Sequence, residues 1–179
     1  MQALGDFLMV PRAHALGFML APASPVEQIF KAARLRDFGL EIMPNNQITG
    51  NIGLYYVCNK LSRMGLNVMP TARNARGIDI IAYGKTGRHF VGIQVKALSG
   101  RNAVPLGRDA EALMGDFWVI VNNLGVETKA FIMTLDEVKE RAQVRGSERV
   151  SVWLQKKDYE KDEFKDRWDR IEKKIKTET

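Results

Sequence analysis

Two strand-like runs, Ile78 to Tyr83 and Arg88 to Leu98, flank the turn Gly84-Lys85-Thr86-Gly87. Runs of this length around a glycine-bounded turn read as a β-hairpin. Side chains alternate faces along a strand. In the second run Val91, Ile93, Val95 and Ala97 fall on one face, which has the character of core. Gln94 and Lys96 fall on the other. If Tyr83 pairs with Arg88, Asp79 lies opposite Gly92 and diagonal to Gln94. A shift of two brings Asp79 directly opposite Gln94. Every register of that parity puts Asp79, Gln94 and Lys96 on one face. Opposed Cβ atoms lie roughly 5 Å apart and diagonal ones roughly 7–8 Å. That spacing gathers several groups around one metal and one phosphate. A half-exposed strand in which Asp79 and Lys96 merely pair accounts for the pattern equally well.

Charge narrows the partner. The formal net charge is +6. Between Lys60 and Arg108 nine Lys or Arg residues stand against one acid, Asp79. A basic balance favours a polyanion, either nucleic acid or a membrane surface. The lone carboxylate is either an internal ion-pair partner or a metal ligand at the floor of a phosphate-binding cleft. Cys58 is the single cysteine, which excludes an internal disulfide and a Cys-based zinc cluster. The apolar stretch Phe7 to Ala21 is broken by Pro11, Arg12 and His14. It lacks a basic leader and is too short to cross a bilayer, so a cytoplasmic protein is expected.

The chain divides near Met43-Pro44. Residues 1–42 read as an N-terminal extension with one short helix, capped by Ser24-Pro25 and striped by Val26, Ile29, Phe30 and Ala33. Residues 43–179 read as one α/β domain. Leu54, Val57, Cys58, Leu61 and Met64 mark one helix face, which Gly65 ends. Strands follow at Leu66 to Met69, Ile78 to Tyr83 and Arg88 to Leu98. Then come an irregular stretch with one helical turn near Ala110 to Met114, and a buried strand from Phe117 to Val121. A C-terminal strand–helix–strand–helix extension completes the order. Its parts are a strand at Ala130 to Met133, a capping box at Thr134 to Glu137, a strand at Val150 to Leu154, and a helix striped by Phe164, Trp168, Ile171 and Ile175. The charged run Lys156 to Lys176 reads as a solvated helix.

Gly53-Leu54-Tyr55-Tyr56-Val57, Leu61-Ser62-Arg63-Met64-Gly65, Arg73 to Ile80 and Ile93-Gln94-Val95-Lys96 together resemble the PD-(D/E)XK nuclease superfamily, the restriction-endonuclease-like fold. The likeness is to branches in which Gln replaces the second acid, a D…QxK variant. It covers about residues 49–123. It implies an αβββαβ core with a mixed central sheet, which matches the element order above. It also implies metal-dependent hydrolysis of phosphodiester bonds in DNA. Asp79, Gln94 through its amide oxygen, and the Val95 carbonyl would hold Mg²⁺ or Mn²⁺, and Lys96 would steady the attacking water and the phosphate charge. Mg²⁺ takes oxygen ligands and keeps several waters, which suits this donor set. Relatives often carry Glu where this chain has Leu54. That departure leaves one charged ligand and raises an alternative: a catalytically weak or inactive nucleic-acid-binding or interaction module of a defence or repair system.

Arg73, Asn74 and Arg76 precede Asp79 and are candidates for gripping backbone phosphates. His89 should point away from the site. Tyr55 and Tyr56 read as helix packing, and Trp118, Trp153 and Trp168 as core. The sequence leaves open RNA in place of DNA, and a second copy or another protein as partner.

Overall fold

The computed structural model describes residues 46–71, 77–100, 102–124, 127–147 and 149–177. The N-terminal extension and its short helix lie outside them. All described elements belong to one unit, Pro44–Thr179. No described helix is long and apolar enough to cross a membrane.

Helix α1 runs Asn46–Arg63 and buries Gly53, Val57 and Leu61, spaced i, i+4, i+8. Leu54, Cys58 and Met64 flank them, half-buried against the same core. Gly65 ends the helix as expected. Its φ of 81° lies in the left-handed region that costs glycine nothing. Gly65 N–H donates to Ser62 O (2.9 Å) and Leu66 N–H to Leu61 O (3.3 Å), the paired bonds of a Schellman stop.

Strand β1 (Asn67–Pro70) follows at once, then β2 (Ile80–Tyr83) and β3 (Phe90–Ala97). With β5 (Phe117–Asn122) and β6 (Lys129–Thr134) they form a five-stranded sheet, ordered β1-β2-β3-β5-β6. Only β3 and β5 run parallel, so the sheet is mixed. The expected α/β class is found.

Between β3 and β5 the chain differs from expectation. The Ala110 to Met114 stretch holds a turn, closed by Leu113 N–H to Ala110 O (3.4 Å), and no helix. Before it, β4 (Val104–Gly107) joins β8 (Ser151–Leu154) and β7 (Gln143–Arg145) in a second sheet, ordered β4-β8-β7. Val104 and Leu106 alternate with an exposed Pro105, a period-two burial. Pro105 is tolerated because β4 is an edge strand.

The large sheet therefore has two different faces. On one, α1 and α4 (Asp169–Thr177) pack Val57, Leu61, Ile171 and Ile175 against Val91, Ile93, Val119 and Ile132. On the other, Val104, Val152 and Leu154 of the second sheet, with Val138 of α2 (Leu135–Arg141), cover Trp118, Ile120, Phe131 and Met133 of β5 and β6. Strand β5 is buried along its whole length, which explains its unbroken apolar run.

The charged run 156–176 is not one helix. It forms α3 (Lys156–Tyr159), a loop and α4. Asp166 takes a positive φ of 52°, which breaks the helix before Trp168. Phe164 thus leaves the expected helical stripe and sits in the second core. Its carbonyl accepts from Ile132 N–H (2.8 Å), and Asp166 N–H donates to Ala130 O (2.9 Å), so this loop closes the β6 edge. Trp118 is buried, while Trp153 and Trp168 are half-buried.

Candidate functional site

The hairpin keeps the predicted parity and adopts the shifted register. Tyr83 pairs with Phe90 and Ile80 with Ile93, so Asp79 faces Gln94. Asp79 is held by its backbone on both sides. Its N–H donates to Ile93 O (2.9 Å), and its carbonyl accepts Thr71 N–H (2.9 Å). The Thr71 hydroxyl also donates to Ile78 O (2.6 Å).

Strand β2 stops pairing at Ile80, but β3 runs on to Ala97. Beyond Ile93 the edge of β3 therefore has backbone groups without a β2 partner. The Asp79 side chain fills the first place. Its Oδ2 accepts Val95 N–H (2.7 Å) and also the Gln94 amide, Nε2–H. Gln94 Nε2 lies 3.4 Å from Val95 O. A strand residue turns its N–H and C=O to the same edge. The Val95 carbonyl thus opens beside the Asp79 carboxylate.

Lys96 comes two residues after Gln94, on the same face, with Nζ 5.5 Å from the centre of the Trp118 ring. Burial pushes its ammonium below the usual lysine range, and the Asp79 charge opposes that shift. Among the ion pairs of the described residues none joins Lys96 to Asp79. The simple paired-strand alternative therefore does not describe the carboxylate, which is engaged by Val95 and Gln94.

The structure brings together Asp79, Gln94, Val95 and Lys96. Arg73, Asn74 and Arg76 lie outside the described residues. No group of three His, Cys, Asp or Glu side chains fit to hold a metal occurs among the described residues. Among the described residues the oxygen donors at this edge are one carboxylate, one backbone carbonyl and one amide. That set fits a cation that keeps most of its waters. Gln94 faces Asp79 with its nitrogen, so ligation by its oxygen requires the amide to turn over. Leu54 is half-buried against the α1 core, and Tyr56 packs near Trp168 (6.4 Å between ring centres), whereas Tyr55 is exposed.

Asp116 is a residue the sequence reading passed over. Its Oδ2 accepts Gly92 N–H (2.8 Å), and its own N–H donates to Gly92 O (2.7 Å). It locks the start of β5 onto β3 two residues before Gln94. The only sequence signal was an acid at the mouth of a buried apolar strand.

No protein-family model matches this chain, and no curated protein matches it in sequence. Among solved structures it is similar to a bacterial homing endonuclease, I-Ssp6803I. The TM-score is 0.52 at 17% identity, over 75% of this chain and 96% of that one. The likeness is one of fold, and the fold is a nuclease-like α/β fold.

Proposed function

We propose that this protein is a metal-dependent nuclease of the PD-(D/E)XK type that hydrolyses phosphodiester bonds in DNA. The observation that carries the reading is the Asp79–Gln94–Val95 junction. A carboxylate, an amide and a free-edge carbonyl meet where β2 leaves β3, on the same face as Lys96. The endonuclease-like fold supports the same class.

Asp79, the Val95 carbonyl and a turned Gln94 amide would hold Mg²⁺ or Mn²⁺. Such an ion supplies the charge that polarises a phosphoryl oxygen and acidifies water. The chain's own groups supply position. Asp79 is held by Val95 N–H on Oδ2 and by two backbone bonds, all of which remain when the Gln94 amide turns, so it is preorganised. Lys96 donates its N–H bonds toward charge that grows on the phosphate. Its half-buried setting raises the strength of that interaction.

The test is a cleavage panel over linear, nicked, branched and single-stranded DNA with Mg²⁺ or Mn²⁺. Asp79→Ala removes the one charged ligand, so cleavage should vanish while DNA binding stays or strengthens. Asp79→Ala cutting as fast as wild type in a clean preparation sinks the proposal. DNA binding with no cleavage by the wild type on any substrate would favour the inactive binding module instead.

A further inference from the structure

The second sheet covers only half of one face. Among the described residues no element covers that face over β1, β2 and β3, and it carries a patch that neither core uses. Asn67 pairs with Tyr83 and Tyr83 with Phe90, while Met69 pairs with Ile81 and Ile81 with Gly92. These rows share the face of Asp79, Gln94 and Lys96. Phe90 is 56% exposed and Met69 51% exposed. Tyr83 and Ile81 are half-buried, yet none of the four belongs to either hydrophobic cluster. The Tyr83 and Phe90 rings lie 5.0 Å apart, tilted by 46°. Where the next row lacks a side chain, at Gly92, Ile78 fills the space: a Cβ there would meet Ile78 Cδ1 at 2.9 Å. The apolar surface therefore continues from Phe90 to the edge of the Asp79 site.

An exposed aromatic on an open sheet is the informative kind of surface residue. Its neighbours decide the occupant. Lys85 and Arg88 are exposed at the hairpin beside it. The segment from Lys60 to Arg108 has nine basic residues and one acid. Aromatic rings in a cationic setting match a nucleobase on a phosphate backbone better than a second apolar protein surface. Phe90 precedes Gln94 by four residues, roughly 13 Å along a strand. That spans about four stacked nucleotides at roughly 3.4 Å each. A base inside a duplex has both faces stacked and cannot offer one to Phe90.

We propose that Phe90 and Tyr83, extended by Ile81 and Met69, form a stacking subsite for unpaired nucleobases. The substrate would then enter with a single-stranded stretch lying along β3 toward Asp79. This deepens the nuclease reading and rests on it.

The experiment measures binding by the full chain in EDTA, with no divalent ion present. The probes are a fluorescent oligothymidylate, an abasic oligonucleotide with the same backbone, and a duplex of equal length; a ribo-oligouridylate beside a deoxy-oligouridylate tests whether the sugar matters. Wild type should prefer oligothymidylate or oligouridylate to the abasic strand and to the duplex. Phe90→Ala should weaken the preferred complex by about tenfold or more and leave abasic binding unchanged. Phe90→Trp should keep the affinity and Phe90→Leu should not, a comparison that still decides if Phe90→Ala melts early. An equal loss on all probes, or no loss, overturns the subsite. So does a wild-type dimer that Phe90→Ala dissociates, since the patch is then a self-contact. If the Phe90 pattern holds while Asp79→Ala still cleaves, the nuclease reading falls and the subsite stands. If Asp79→Ala abolishes cleavage while the Phe90 variants bind alike, only the subsite falls.

Discussion

Oδ2 of Asp79 accepts from both Val95 N–H and Gln94 Nε2–H. Without an ion, Gln94 is a donor that neutralises no charge. Gln94→Glu reverses this. Two carboxylates then face each other across the hairpin, which is unfavourable without a cation. The variant should melt earlier than wild type in EDTA, and its melting temperature should rise more steeply with Mg²⁺. Parallel Mg²⁺ titrations of the two proteins would show no added slope if Gln94 does not face the ion. At this scale the sequence disclosed the parity but not the register. Alternation with any odd-sum pairing of the hairpin puts Asp79, Gln94 and Lys96 on one face. Choosing between the two registers needs the length of the turn, and here six residues, 84–89, separate β2 from β3. Val95 as a backbone donor was named through a family likeness. Its exposure depends on where β2 stops, and no residue type marks that point.

Two helices fix the sheet, each through a contact that can be tested. Gly53 of α1 lies so close to β3 that an added Cβ would collide with Ala97 Cβ. Gly53→Ala should push α1 off the sheet and cost about 1–3 kcal/mol, read from chemical denaturation. A neutral or stabilising result would mean that α1 has slack there. At α2, Thr134 and Glu137 form the capping box foreseen from Thr134-Leu135-Asp136-Glu137. Arg170 of α4 adds a bond to Glu137 Oε1 (2.7 Å) and another to Ile132 O (3.0 Å). Burial alone would raise the Glu137 carboxyl, but Arg170 and the Thr134 N–H together hold it below its ordinary value. A lowered folded pKa gives stability that is present above the unfolded carboxyl pKa and lost as pH falls through the folded one. Wild type should therefore be more stable than Glu137→Gln at neutral pH, by no more than about 1 kcal/mol because solvent screens the pair, and the gap should close as pH drops below about 4. A gap independent of pH would assign the effect to shape. The capping box was legible because it is a local four-residue code. Strand β4 was not, since Val104-Pro105-Leu106-Gly107 is short and carries a proline. The spacing of Phe164, Trp168, Ile171 and Ile175 is helical by number. The chain nonetheless turns at Asp166, because Phe164 and Lys165 bridge to β6.

Among the described residues both hydrophobic clusters are built from positions 54–175. A chain that begins at Met43 should keep a cooperative melt with little change in midpoint. A broad, uncooperative transition in that shortened chain would place the Val26 to Ala33 stripe in the core. Most of the order of strands and helices was readable because period-two and period-3.6 patterns alternate along the chain. That the second sheet covers β5 and β6 but leaves β1 to β3 open was not. It depends on which strands meet across long separations.

The sheet's two edges differ in a way that bears on how the chain is made. Strand β1 ends one side, and the loop around Phe164 seals the other. Ile171 and Ile175, fully or nearly buried, complete the core over β3 and α1. A ribosome delivers α1 and the hairpin first, at about 5–20 residues per second. For several seconds the nascent protein therefore holds the Asp79–Lys96 face with its sheet unsealed and half a core wet. A stop codon anywhere before Phe164 would make that interval permanent, leaving a sticky sheet instead of a closed domain.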